Sequence, residues 1–205
     1  MISAIYLILV VLFWGILHSL FASLQFKALV RRVSARFADR FYRLVYNLFA
    51  VLSFVPVLVI ATLTPDRRLY LVPFPWLALM IVGELLAVGV LVVGFMQTDA
   101  WDFLGLRQLL GQEAKHPPKL VTDGLYRYVR HPLYSGGIAF VWLMPLMTAN
   151  VLAINVALTI YVVIGAYFEE RKLRRMFGQE YVDYTAVTPM FVPFLKKMKS
   201  SVEMS

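Results

Sequence analysis

Residues 119–137 read KLVTDGLYRYVRHPLYSGG, a basic, turn-rich run that packs three Tyr, an Arg-His-Pro triplet and a closing Gly pair between strongly apolar blocks. No hydrophobic core needs such a composition, and a plain connection between helices rarely carries it. Upstream, the blocks at 2–24, 44–63 and 76–96 each match the roughly 20 apolar residues that a helix needs to cross the hydrocarbon core of a bilayer. Downstream, the apolar block at 133–167 is too long for one crossing and short for two, and is interrupted at Pro145 and at Thr148-Ala149-Asn150. It reads as a tight helical hairpin of two shortened or tilted helices. The expected fold is all-α, a polytopic membrane helix bundle of about five transmembrane helices with the last two forming the hairpin. Residues 1–96 make an N-terminal three-helix membrane region. Residues 97–205 make a C-terminal region of loop, hairpin and cytosolic helix.

Composition agrees. With 60% hydrophobic residues, 16% charged residues and a mean hydropathy of +0.73, the chain lies well outside soluble usage. Cysteine is absent, which excludes disulfides and thiolate metal sites. The net charge of +8 falls between and after the apolar blocks, as in cytoplasmic loops, and does not point to nucleic acid. Segment 25–43 sets Lys27, Arg31, Arg32, Arg36, Arg40 and Arg43 against Asp39 alone, a match for anionic lipid headgroups. The stretch 97–130 and the end after 169, with its Lys196-Lys197-Lys199 tail, are basic too. The Asp66-Arg67-Arg68 and Asn150 turns are nearly neutral. The expected topology is N-terminus outside and C-terminus cytoplasmic, in a bacterial inner membrane. The first block lacks a basic n-region and a small-residue cleavage site, so it reads as a retained helix. Pro56 predicts a kink in the second span, and Pro117-Pro118 forbids a continuous helix in the third connection. Trp101, Phe103, Leu104 and Leu106 predict a short amphipathic element in the interface.

Two polar clusters carry the chemistry: Arg130-His131-Pro132, and Glu169-Glu170-Arg171-Lys172 after the last apolar block. They are expected to meet at a membrane surface and form one site. Pro132 suits the first turn of a helix, whose free N–H groups can cradle an anionic ligand, and Gly136-Gly137 permits close approach to the backbone. Tyr126, Tyr128 and Tyr134 offer aromatic faces for an adenine or a sulfonium cation. Glu169 and Glu170 offer acceptors for ribose hydroxyls, an amine or that cation. An interfacial turn and a solvated helix end are the plainer explanations of the same residues. His18 and Glu84 are ionisable groups within apolar blocks, which makes each a functional hypothesis beside the structural one of a partner on a neighbouring helix. No metal is expected: His18, His116 and His131 share no ligand spacing, and no dinucleotide-binding Gly fingerprint is present.

Gly124-x-Tyr126, Arg130-His131-Pro132-x-Tyr134-x-Gly136, Glu169-Glu170-x-x-Leu173 and Phe177-Gly178-x-x-Tyr181-x-x-Tyr184 together resemble the isoprenylcysteine carboxyl methyltransferase and phospholipid methyltransferase superfamily, over residues 119–194. The resemblance implies a cytosol-facing S-adenosylmethionine pocket built from the C-terminal half. Leu120, Gly124, Tyr126, His131, Pro132 and Tyr134 would line it, with Glu170 holding the cofactor's polar end and Glu169 close by. Trp14-x-x-x-His18-Ser19, Tyr42-Arg43-Leu44-x-Tyr46-Asn47 and Phe103-Leu104-Gly105-Leu106-Arg107-Gln108 look like methanethiol S-methyltransferases, with Leu104 inserted into the last motif. That likeness implies an integral membrane, S-adenosylmethionine-dependent methyltransferase that converts a small thiol such as methanethiol to dimethyl sulfide. Transfer from a sulfonium is an in-line displacement in which positioning supplies much of the acceleration. Arg130 as a fixed cation, and His131 or His18 as a base, would favour the thiolate. Two readings stand beside this one: the same fold acting on a lipid or isoprenoid-type acceptor, and a non-enzymatic transporter or accessory protein. The expected partners are a small thiol or lipid-soluble acceptor and membrane lipids.

Overall fold

The structure is a computed structural model that describes residues 2–111 and 119–193; His116, Pro117-Pro118 and the Lys196-Lys197-Lys199 tail lie outside the described residues. Helix α1 (Ile2–Ala22) is followed by the short helices α2 (Leu24–Val33) and α3 (Ala35–Arg40). Helices α4 (Tyr42–Leu52) and α5 (Val55–Leu63) form one span, broken at Ser53-Phe54. Pro56 explains the break, because it has no N–H for the carbonyl four residues back and its ring crowds that carbonyl. Strand β1 (Arg68–Leu71), helix α6 (Trp76–Met96) and the short helices α7 (Ala100–Leu104) and α8 (Leu106–Leu109) complete the first half. Beyond the undescribed segment come a 3-10 turn (Gly124–Arg127), α9 (Pro132–Trp142), β2 (Leu146–Thr148), α10 (Ala149–Phe177) and α11 (Gln179–Val187).

Among the described residues four helices are long and apolar enough to cross a membrane: Ser3–Ala22, Tyr42–Leu63, Trp76–Met96 and Ala149–Phe177. Phe13, Leu52, Leu85 and Ile164 stand exposed along them, as expected where lipid is the solvent. The protein is an integral membrane helix bundle. Val11, Val57, Ile154 and Ala157 form the core where α1, α5 and α10 meet. Gly15 lets α1 approach α10 closely, since a Cβ there would stand 2.8 Å from the Tyr161 ring. The regions before and after residue 97 interlock, α10 packing on α1 and α9 on α6.

The block read as a hairpin has two unequal arms. Helix α9 is only 11 residues, about 16 Å, roughly half the hydrocarbon thickness. It runs antiparallel to α6: Leu133 packs at Gly94, Gly136 against Val90 and Leu91, and Leu143 at Gly83. From Leu143 onward the chain continues non-helically and joins β1 in a two-stranded antiparallel sheet, pairing Arg68 with Thr148 and Leu71 with Leu146. Pro145 sets this geometry by denying the helix a donor and biasing the residue before it toward extended backbone. The Val141 carbonyl thereby loses its partner four residues on. It is answered from the next helix, where buried Asn155 donates Nδ2 to it at 2.7 Å. Helix α10 starts at Ala149, capped by Thr148 Oγ1 accepting from Val151 N. Over 29 residues, about 44 Å, it overruns the hydrocarbon layer and carries Glu169 and Glu170 beyond the apolar run.

The ends of the bundle differ in charge. Arg40 donates to the Leu109 carbonyl, Arg43 to Asp102, and Asn47 Nδ2 to the Phe103 carbonyl, tying α7 and α8 to α3 and α4. Gly105, at φ +82°, lets this connection lie against α4, because a Cβ would stand 2.6 Å from the Leu44 nitrogen. At the opposite end Asp66 accepts from the backbone N–H groups of Arg67 (2.7 Å) and Asn150 (3.0 Å), pinning the loop before β1 to the start of α10. Burial nudges the Asp66 carboxyl up, but hydrogen bonds from Thr148, Asn150, Arg67 and Ala149 outweigh it and hold its pKa below the usual value.

Replacing Asn155 by Leu should destabilise the protein by about 1–3 kcal/mol, because the Val141 carbonyl is left without a donor in an apolar layer; thermal unfolding in detergent checks this, and an unchanged midpoint would contradict it. For Asp66 the sign follows from its depressed folded pKa. Its contribution is complete above the unfolded carboxylate pKa of about 3.9 and disappears as pH falls through the lower folded value. The stability gap between wild type and Asp66→Asn should therefore be widest near neutral pH and close in acid; a gap independent of pH would remove Asp66 from the account.

Candidate active site

Three segments converge at the basic end of the bundle. The first is the 3-10 turn, which enters through Gly124 at φ +61°. A Cβ on Gly124 would lie 1.9 Å from the Gln97 amide nitrogen, while Gln97 Oε1 accepts from Leu125 N at 3.0 Å. Gly124 thus docks the turn on the end of α6 and does not itself line the pocket described below. The second is the Arg130–His131 peptide, whose N–H groups donate to the carbonyls of Pro189 (2.9 Å) and Met190 (3.2 Å). Ser135 Oγ adds a bond to the Phe191 carbonyl at 2.7 Å. The third is the inner end of α10 with α11. Pro132 occupies the first turn of α9, as its fixed φ and missing donor favour.

Glu170 joins the three. Its side chain is 9% exposed and accepts four hydrogen bonds. Arg130 donates Nε to Oε1 at 2.8 Å and Nη2 to Oε2 at 3.0 Å, the two-pronged match of a guanidinium to a carboxylate. His131 Nε2 lies 2.9 Å from Oε1, and Tyr181 Oη donates to Oε1 at 2.7 Å. The remaining Arg130 nitrogen, Nη1, donates to the Thr188 carbonyl. Arg130 and Glu170 therefore neutralise each other. The contact with a carboxylate fixes His131 as the Nε2–H form, leaving Nδ1 free to accept when the ring is neutral. Tyr181 and Tyr184 keep their phenolic protons at neutral pH: burial and then Glu170 push Tyr181 up, and burial pushes Tyr184 up to about 12. Tyr184 donates to the Tyr126 carbonyl at 2.5 Å and closes the ring of contacts.

In front of this hub lies a pocket of about 440 Å³. Of the residues singled out in the sequence, Leu120, Tyr126, Arg130, His131, Pro132, Tyr134 and Glu169 line it, and Glu170 stands behind His131 as its support. Tyr134 Oη donates to Glu169 Oε2 at 2.7 Å, and the Tyr134 ring stacks on the His131 ring with centroids 5.3 Å apart. Glu169 Oε2 is 3.8 Å from His131 Nδ1. Leu173 and Phe177 from α10, with Tyr181 and Tyr184 from α11, supply walls to which the sequence reading assigned no role. Their signal was present: Glu169, Leu173 and Phe177 recur every four residues and share one helical face.

His18 lies outside this lining. Its Nδ1 is 2.7 Å from Tyr161 Oη and its Nε2 2.9 Å from Tyr46 Oη, with the Trp14 ring tilted against its own at a centroid distance of 5.0 Å. Glu84 is half-buried on α6, is not among the pocket's lining residues and has no hydrogen-bond or ion-pair partner among the described residues. Among the described residues no group of three or more His, Asp or Glu is arranged to hold a metal ion.

The sequence profile of the phospholipid methyltransferase family matches residues 77–180, about half of the chain, from the first turn of α6 into α11. This protein belongs to that family. Among curated relatives, a methanethiol S-methyltransferase of Crocosphaera subtropica is 35% identical over 119 residues, 56% of this chain and 47% of the relative. Methanethiol S-methyltransferase 1 of Bradyrhizobium diazoefficiens is 39% identical over 102 residues, 48% of this chain and 35% of its own. Protein-S-isoprenylcysteine O-methyltransferase B of Arabidopsis thaliana is 31% identical over 125 residues, 58% of each. The chain spans about half the length, or less, of the methanethiol S-methyltransferases it matches. No solved structure matches it. Membership of a methyltransferase family implies a methyl donor, and the pocket offers an apolar floor, aromatic rings and a carboxylate at its rim.

Removing the carboxylate with Glu170→Ala should cost about 3–5 kcal/mol, since it strands a guanidinium that is 12% exposed. Tyr181→Phe, which removes one bond to a charged acceptor, should cost roughly 1.5–3 kcal/mol. Denaturation of both variants tests the order, and equal losses would mean that the ion pair is not the anchor.

Proposed function

We propose that this protein is a membrane methyltransferase that uses S-adenosylmethionine and methylates the sulfur of a small thiol such as methanethiol, giving dimethyl sulfide. The observation that carries the reading is His131: its Nε2 is held by Glu170 while its ring lines a pocket shared with Glu169 and Tyr134. The donor, when bound, supplies an electrophilic methyl group on a sulfonium. Leu120, Leu173 and Phe177 would hold its apolar surfaces, Tyr126 an aromatic face, and Glu169 its cationic or hydroxyl-bearing parts.

The chain's own task is to orient the acceptor and take its proton. His131 Nδ1 receives the thiol proton, and Glu170 stabilises the resulting imidazolium through Nε2–H. Arg130 and Tyr181 act one step back, keeping the Glu170 carboxylate ionised and in place. His18, with Tyr46 and Tyr161, ties α1 to α4 and α10 beside the site. Residues 97–205 carry the site, and residues 1–96 supply the membrane anchorage. The concentration of basic residues at the site's end of the bundle supports a cytoplasmic site, with the N-terminus outside, in a bacterial inner membrane. The isoprenylcysteine relative favours one other reading, in which the same site serves a lipid-soluble acceptor.

The test is transfer from methyl-labelled S-adenosylmethionine to methanethiol by the purified protein, with labelled dimethyl sulfide counted in the headspace. Wild type should yield volatile label. His131→Ala should lower turnover by roughly 10²-fold or more, and Glu169→Gln should weaken donor binding. Absence of volatile label, with label recovered in added membrane lipid, would replace the thiol by a lipid acceptor.

A further inference from the structure

A second cavity, of about 250 Å³, has a lining separate from that of the candidate active site; Phe26, Val30, Phe37, Tyr42, Tyr46 and Phe49 border it where α1, α2, α3 and α4 meet, and Tyr46 also belongs to the His18 cluster. Its surface is almost wholly apolar, yet the segment that covers it is the most basic in the chain. Helix α2 has no buried residue, and it exposes Leu29 and Val33. A helix so placed, apolar on one side and cationic on another, rests in a membrane interface. Phe26 and Val30, four residues apart, share the face that lines the cavity. Lys27 and Arg31, one residue on from each, share the adjoining face. Arg36 adjoins Phe37 on α3. Arg31 has only an exposed pair with Asp39 at 3.3 Å, of little energetic weight. Lys27 and Arg36 make no side-chain ion pair or hydrogen bond among the described residues. An apolar slot bordered by cations that are unpaired or only weakly paired matches a molecule with an anionic head and an apolar tail.

We propose that this cavity is a binding site for an anionic glycerophospholipid, one acyl chain entering among Phe26, Val30 and Phe37 and the phosphate lying against Lys27, Arg31 and Arg36. The lipid is a resident of the fold, and phosphatidylglycerol, which carries neither thiol nor amine to accept a methyl group, is the probe that separates this site from the active site. The site stands whichever acceptor the active site takes.

Native mass spectrometry tests it on the full chain in detergent, given equal amounts of phosphatidylglycerol and phosphatidylcholine of identical acyl chains. Phosphatidylglycerol adducts should predominate. The preference should fall by about fivefold for each charge removed in Lys27→Gln and Arg31→Gln. Arg32→Gln, on the opposite side of α2 from Val30, should leave it unchanged, which separates a site from net charge. Val30→Trp, which fills the slot, should abolish the adducts. Equal retention of both lipids by wild type would overturn the proposal, as would an equal effect of Arg32→Gln. A protein dimer free of lipid would overturn it too, by showing that a second copy covers this face. Should Val30→Trp fail to fold, the three Gln variants decide alone.

Discussion

The pairing of Arg130 with Glu170 holds the functional end of this protein together. Two opposite charges, each largely withdrawn from water, are tolerable only when their geometry is close and their remaining hydrogen-bonding capacity is met. Here the fork fits the carboxylate, Thr188 takes the spare guanidinium nitrogen, and Tyr181 and His131 take the spare carboxylate capacity. The partners come from the connection before α9, the end of α10, α11 and the segment after it. A single ion pair thereby fixes the relative placement of pieces separated by up to 58 residues of sequence. It also sets the orientation of His131, so stability and the shape of the pocket share one contact.

The spans were legible because a run of about 20 apolar residues has few other uses. The two polar clusters were legible because charged residues beside such runs need partners, and the structure brings them together. The distribution of roles among their members was less so. The sequence reading treated Arg130 as a cation available to the reaction and Glu170 as a contact to the cofactor; the structure has them bound to each other, with Glu169 at the surface of the pocket. Two adjacent glutamates differ by about 100° around a helix, and no periodicity in the string says which of them faces inward. His18 shows the same limit. Its place in an apolar block marked it as unusual, but its partners Tyr46 and Tyr161 lie 28 and 143 residues away.

The block at 133–167 shows where apolar length misleads. Counting residues gives two short helices, whereas the chain makes one half-length helix, a strand and one very long helix. The deciding feature is Pro145, whose effect on backbone bonding outweighs the hydropathy of its neighbours. Strand β1, which pairs with the outcome, carries Arg68 and shows no apolar alternation that would announce it.

The bond from Asn155 to the Val141 carbonyl has a genetic corollary. Asn155 is favourable here because Pro145 leaves that carbonyl without its helical donor. Were Pro145 exchanged for an ordinary residue, the returning N–H would compete for the same acceptor. Asn155 would then be a polar amide in an apolar layer with no task, and its replacement by an apolar residue would turn from harmful to helpful. The two positions are thus epistatic in sign. A lineage can change them readily as a pair, or in one order, while the other order passes through a destabilised protein.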